Sequence, residues 1–176
     1  TLVFFVLRPF STEAFFIPSG SMPPTLQIDD FILVNKFVYH FNEPQVGDIV
    51  VFRAPPAADH LDRDFIKRVV GTPGDRISVH DGHLYRNGKK IVEDFIAERP
   101  AYTWPSTARS DGTTVKVPQG NLIVFGDNRN VSNDSKSWAA VNVNGKIEHR
   151  PFLPIENVKG RAMLIFYPFT RVRLIQ

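Results

Sequence analysis

Ile17-Pro18-Ser19-Gly20-Ser21-Met22 is a stretch whose residue types and spacing suit covalent chemistry. A free serine hydroxyl is a weak nucleophile. A reactive one needs a base within hydrogen-bond reach, and backbone that can come close to a substrate carbonyl. Gly20 permits that approach because it lacks a Cβ. Pro18 stiffens the entry and biases Ile17 towards an extended conformation, and Pro23-Pro24 follow at once. Ser21 therefore ends an apolar run on a stiff, glycine-hinged bend. Taken alone, Pro-Ser-Gly-Ser is better explained as an ordinary turn. Chemistry needs a second stretch.

Two further stretches supply it: Phe65-Ile66-Lys67-Arg68-Val69-Val70-Gly71-Thr72-Pro73-Gly74-Asp75, and Gly126-Asp127-Asn128-Arg129-Asn130-Val131-Ser132-Asn133-Asp134-Ser135. In this order, across most of the chain, the three boxes resemble the type I signal peptidases, membrane-bound serine proteases that remove signal peptides from exported proteins. The resemblance implies Ser21 as nucleophile and Lys67 as general base, a known variant of the serine-protease scheme. It also implies that Ser132 hydrogen-bonds and orients the lysine, and that the Ser19 hydroxyl joins the Ser21 backbone N–H in an oxyanion hole. Arg68, Asp127, Asn128, Arg129 and Asp134 fall to structural support, with Arg68 expected to pair with Asp127.

A lysine base must be neutral, although its unperturbed pKa is about 10.4. Burial in apolar surroundings disfavours the ammonium. In a strand, Phe65, Lys67 and Val69 share one face while Ile66, Arg68 and Val70 share the other. Lys67 thus points with apolar neighbours and Arg68 away from it. Without the flanking boxes, an exposed lysine at a strand end is the better reading.

A peptide substrate is expected to add as a strand along Phe15 to Pro18 and Asp64 to Ile66. Ile17, Pro18, Met22, Leu26, Asp64, Phe65 and Ile66 are the candidate substrate-binding residues, with shallow pockets suited to small residues at −1 and −3 of a cleavage site. Core packing is the competing reading for the apolar ones. His40, His60, His80, His83 and His149 lie outside the boxes. His80-Asp81-Gly82-His83 straddles a turn without a third obvious ligand, so neither metal nor cofactor is implied.

These residues need elements to hold them. Short strands are expected at Phe10–Pro18, Phe31–Val34, Val46–Phe52, Asp64–Val70, Leu122–Phe125, Gly160–Pro168 and Arg171–Ile175, with hairpin turns at Asp81-Gly82 and Asn87-Gly88. No sustained helical period occurs. The expected fold is mainly β: a coiled antiparallel catalytic core from residues 1–75 and 121–176, with a smaller accessory β region, 76–120, inserted between. A mobile loop is expected over 93–113. Residues 139–151 depart from the family pattern and read as an extra hairpin turning at Asn144-Gly145.

The chain has 176 residues, no cysteine and a net charge of +3 from 21 basic and 18 acidic residues. Thiol chemistry and disulfides are excluded, and the dispersed charge argues against nucleic acid. Thr1–Leu7 is apolar but far short of the roughly 20 residues that span a bilayer. The expectation is a catalytic domain that begins just after, or inside, a membrane anchor and lies on the trans face. Its partners would be preprotein signal peptides and the lipid surface. Terminal aromatics, among them Phe4, Phe5, Phe10, Phe166, Tyr167 and Phe169, form either a membrane-facing belt or plain core. The rival readings are a self-cleaving Ser/Lys protein of the SOS-repressor type and a non-enzymatic β-rich binding module. Oligomeric state is not legible.

Overall fold

A computed structural model describes residues 12–59, 61–106, 113–138, 140–143, 146–149 and 151–175, with 140–143 and 146–149 described by backbone alone. Phe4, Phe5, Phe10, His60 and the Asn144-Gly145 turn lie outside the described residues.

Fourteen strands are described: β1 (Thr12–Phe16), β2 (Phe31–Asn35), β3 (Ile49–Arg53), β4 (Asp64–Gly71), β5 (Arg76–His80), β6 (His83–Arg86), β7 (Lys89–Lys90), β8 (Val115–Lys116), β9 (Asn121–Phe125), β10 (Ala140–Val143), β11 (Lys146–His149), β12 (Leu153–Pro154), β13 (Val158–Tyr167) and β14 (Arg173–Leu174). The remaining regular elements are three-residue 3₁₀ turns. The main sheet runs β1-β2-β13-β3-β4-β9-β12, with β14 added to β13, and every pair is antiparallel. The chain is mainly β, as its short apolar runs predict.

A second sheet, β7-β6-β5-β8, is built on the two expected hairpins. Both turns have positive φ at each central residue: 52° and 72° at Asp81-Gly82, 54° and 76° at Asn87-Gly88. That geometry matches the twist of the flanking strands and selects Asx-Gly. The second sheet shares a core with the first, because Ile77, Val79, Leu84, Trp104 and Val117 pack with Val70, Ile123 and Phe125. β10 and β11 form the extra hairpin.

Residues 93–106, part of the segment expected to be a mobile loop, are irregular but docked by large side chains. Trp104 is buried, bridges to Val79 and stacks edge-on against Phe125 at 5.5 Å. An aperiodic segment can still dock through a few large side chains.

Two open strand edges matter for function. Among the described residues, β1 pairs with β2 alone, and β9 joins β4 only from Arg68 onwards. The unpaired edge of Asp64–Lys67 and the free edge of β1 line one cleft of about 500 Å³.

Candidate active site

Ser21 follows β1 on a bend whose underside is apolar. Ile17, Met22 and Leu26 pack into one cluster with Ile32, Val34, Ile49, Val51, Ile66, Ala162 and Ile165. That packing holds the bend in place and corrects one expectation. Met22 and Leu26 are fully buried and do not line the cleft, because both are consumed by the core beneath Ser21. Ile17, Pro18, Asp64, Phe65 and Ile66 do line it, as does Ser19.

Lys67 arrives from β4 with only 4% of its surface exposed. Its Nζ lies 2.9 Å from Ser21 Oγ and 2.8 Å from the Ile66 carbonyl oxygen, to which it donates. The amine also sits 5.3 Å from the centre of the Phe65 ring. Burial is the largest influence on this amine and brings its pKa from 10.5 down to about 8. Asp134 and Asp127 oppose that shift and Lys136 assists it.

Strand alternation sends Arg68 to the other face, where it makes the pair expected with Asp127. Nε and Nη2 each donate over 2.8 Å to a separate carboxylate oxygen, and the pair is buried. Thr25 also donates to Asp127, and Arg68 donates to the Gly47 carbonyl at 2.9 Å. The segment after β9 is thereby clamped to the segment after Ser21. A second clamp is Asn128, whose backbone N–H donates to the Ser21 carbonyl at 3.1 Å and whose side-chain amide donates to the Gly20 carbonyl at 2.9 Å.

Within the loop, Asp134 is fully buried, accepts from the Gly126 N–H at 2.9 Å and pairs with Lys136 at 2.8 Å. Arg129 is buried too, and its Nε donates to the Gly126 carbonyl at 3.1 Å. The expected bond from Ser132 to Lys67 is not made. Ser132 lines the cleft, but its Oγ is buried without a hydrogen-bond partner among the described residues and lies against Gly126. The amine is instead engaged by Ser21 and Ile66. Sequence reasoning missed Thr25, Lys136, Glu93, Phe95 and Tyr102. The last three come from the segment read as a free loop. Of the histidines whose side chains are described, none lines this cleft: His80 pairs with Asp81 and stacks on Tyr85, and His83 contacts Lys90.

A buried amine within hydrogen-bond reach of a serine hydroxyl is chemically able to take that hydroxyl's proton. Residues 1–167 match the family model described as signal peptidase, peptidase S26. The chain belongs to the signal peptidase family. It is 41% identical over 170 residues to a probable signal peptidase I-1 of a Synechocystis species, covering 94% of this chain and 76% of that protein. A signal peptidase I of Leptolyngbya laminosa is 38% identical over 94% of this chain and 74% of its own length. The fold resembles a crystal structure of a signal peptidase I from Enterococcus faecalis, with a TM-score of 0.51 and 27% identity over 68% of this chain and 97% of that one. Membership makes the chain a hydrolase of the protease class, in signal-peptide processing. These relatives are named as signal peptidases, none as a repressor.

Proposed function

We propose that the chain is a membrane-associated serine endopeptidase that cleaves preproteins after small residues at −1 and −3, with Ser21 as nucleophile and Lys67 as general base. The observation that carries this reading is the 2.9 Å contact between the Lys67 amine and Ser21 Oγ in buried surroundings. With Lys67 neutral, the Ser21 hydroxyl donates to Nζ and its oxygen attacks the substrate carbonyl as the proton passes to the amine. The Ser21 N–H and the Ser19 hydroxyl receive the oxyanion; removing one such donor typically costs about 2.7–4 kcal/mol. The resulting ammonium returns the proton to the leaving amine, leaving an ester on Ser21. Water then gives a proton to Lys67 and hydrolyses that ester, releasing the acid and restoring the hydroxyl.

The substrate strand would lie between the free edges of β1 and β4, over an apolar floor that includes Ile17, Val51 and Ile66. Residues 76–120 act as an accessory region of the catalytic core. An anchor outside the described residues would hold the domain on the trans face of the membrane. Phe16 lines the cleft and packs on Phe31 at 5.2 Å, and Tyr167 and Phe169 continue that aromatic group, Phe169 with 82% of its surface exposed. The cleft thus opens beside an apolar surface suited to lipid.

Cleavage of a preprotein-derived peptide by wild type, Ser21→Ala and Lys67→Ala tests the reading. Both variants are expected to stay folded and lose turnover. Wild-type activity is expected to fall as pH drops through about 8, because the lysine takes up its proton there. Turnover by Lys67→Ala, or a flat profile in folded protein across that range, would overturn it.

A further inference from the structure

We infer that Glu93, in the segment following β7, is a positioning residue for the Ser21–Lys67 centre, acting through Arg129 on the Gly126 peptide. This rests on the reading proposed above.

Gly126 packs closely against the backbone of the nucleophile. A Cβ built on it would stand 2.3 Å from both the Ser21 carbonyl oxygen and Ser132 Oγ. Its peptide groups are held from two sides, the N–H by Asp134 and the carbonyl by Arg129. Any movement of Gly126 is therefore passed to the Ser21 backbone and to Ser132. Asp134 has Lys136 as counter-ion. Arg129 has Glu93, and both side chains of that ion pair are almost wholly buried.

The Glu93–Arg129 contact lacks hydrogen-bond alignment: neither Glu93 Oε1 nor the two terminal nitrogens of Arg129 has a hydrogen-bond partner among the described residues. Arg129 Nη1 and Glu93 Oε1 are nonetheless in direct contact, and a buried guanidinium without this counter-ion is strongly disfavoured. Burial pushes the Glu93 carboxyl upwards and Asp127 adds to that, while Arg129 and Arg68 pull it back. Its neighbours come from the same segment. Phe95 lies with its ring centre 4.0 Å from the Arg68 guanidinium and 5.9 Å from that of Arg129. Tyr102 presents its ring to Lys136 at 5.2 Å. Asn130 accepts from the Ala101 N–H at 2.8 Å and donates to the Arg99 carbonyl at 3.2 Å. The accessory segment therefore grips the loop at its cations and at Asn130, and Glu93 supplies the charge.

Steady-state peptide cleavage by Glu93→Gln and Glu93→Asp, beside Ser21→Ala, tests the assignment. Glu93→Gln is expected to lower kcat about tenfold or more with KM within about twofold, since only the reacting geometry is disturbed. The pH limb near 8 should remain, because Lys67 is still the base. Glu93→Asp keeps the charge one methylene short and should fall between the two. Wild-type kcat in folded Glu93→Gln, or a decrease that only tracks the unfolded fraction in a thermal melt, overturns the inference. If Glu93→Gln does not fold, Glu93→Gln/Arg129→Gln removes both charges. Lowered kcat at unchanged KM in that folded pair supports the role, and full kcat refutes it. Activity in Ser21→Ala would instead reject the underlying Ser–Lys reading, whatever the Glu93 variants do.

Discussion

Burying the Lys67 amine costs the folded state free energy wherever the unfolded chain would carry its charge. Bringing its pKa from 10.5 to about 8 corresponds to roughly 3 kcal/mol. The sign follows from linkage: the unfolded chain binds this proton more tightly, so the penalty is full below about 8 and vanishes above 10.5. Lys67→Met, unbranched and apolar, should abolish cleavage yet stabilise the fold at pH 7 by up to about 3 kcal/mol, less what the lost contacts with Ser21 and Ile66 contributed. Denaturant titrations at pH 7 and pH 10.5 would show this as a gain that shrinks with pH. A gain equal at both values would mean that the buried charge is not its source.

At the level of elements, β4 serves two ends because a strand alternates. Lys67 reaches the nucleophile while Arg68, one residue later, clamps the loop after β9 through Asp127. That loop meets the nucleophile at Gly126, where a methyl group has no room on either side. Gly126→Ala should therefore lower kcat/KM by about 100-fold or more, since displacement of the reacting groups by about 1 Å is enough for that. The measurement is peptide cleavage with a thermal melt alongside; near-normal turnover in folded protein would show that the loop can retreat without disturbing Ser21.

For the whole molecule, the main sheet brings β1 and the first half of β4 into the lining of one cleft and leaves Phe16, Tyr167 and Phe169 exposed. Burying an aromatic side chain of that size yields about 1.5–3 kcal/mol, so each should change partitioning into lipid by roughly tenfold or more. In flotation with phospholipid vesicles, the chain should rise with the lipid, and Phe169→Ser should rise markedly less. Equal flotation of both, or none by wild type, would argue that this surface does not meet the membrane.

Much of this architecture was already legible in the chain as written. The three boxes were legible through their resemblance to a family; the Asx-Gly turns at 81–82 and 87–88 and the opposed faces of Lys67 and Arg68 depend on local backbone preferences and strand alternation, which act between near neighbours. Depth is different, because it depends on what else packs at a point. Only the folded molecule put Met22 and Leu26 in the core instead of the cleft, left Ser132 Oγ unpartnered, and stripped water from the Lys67 amine. Only there did Glu93, Phe95 and Tyr102, from an aperiodic stretch, come to rest on the charges of a loop some thirty residues further on. Their contacts are non-local, and no periodicity in the chain announces a partner that far away.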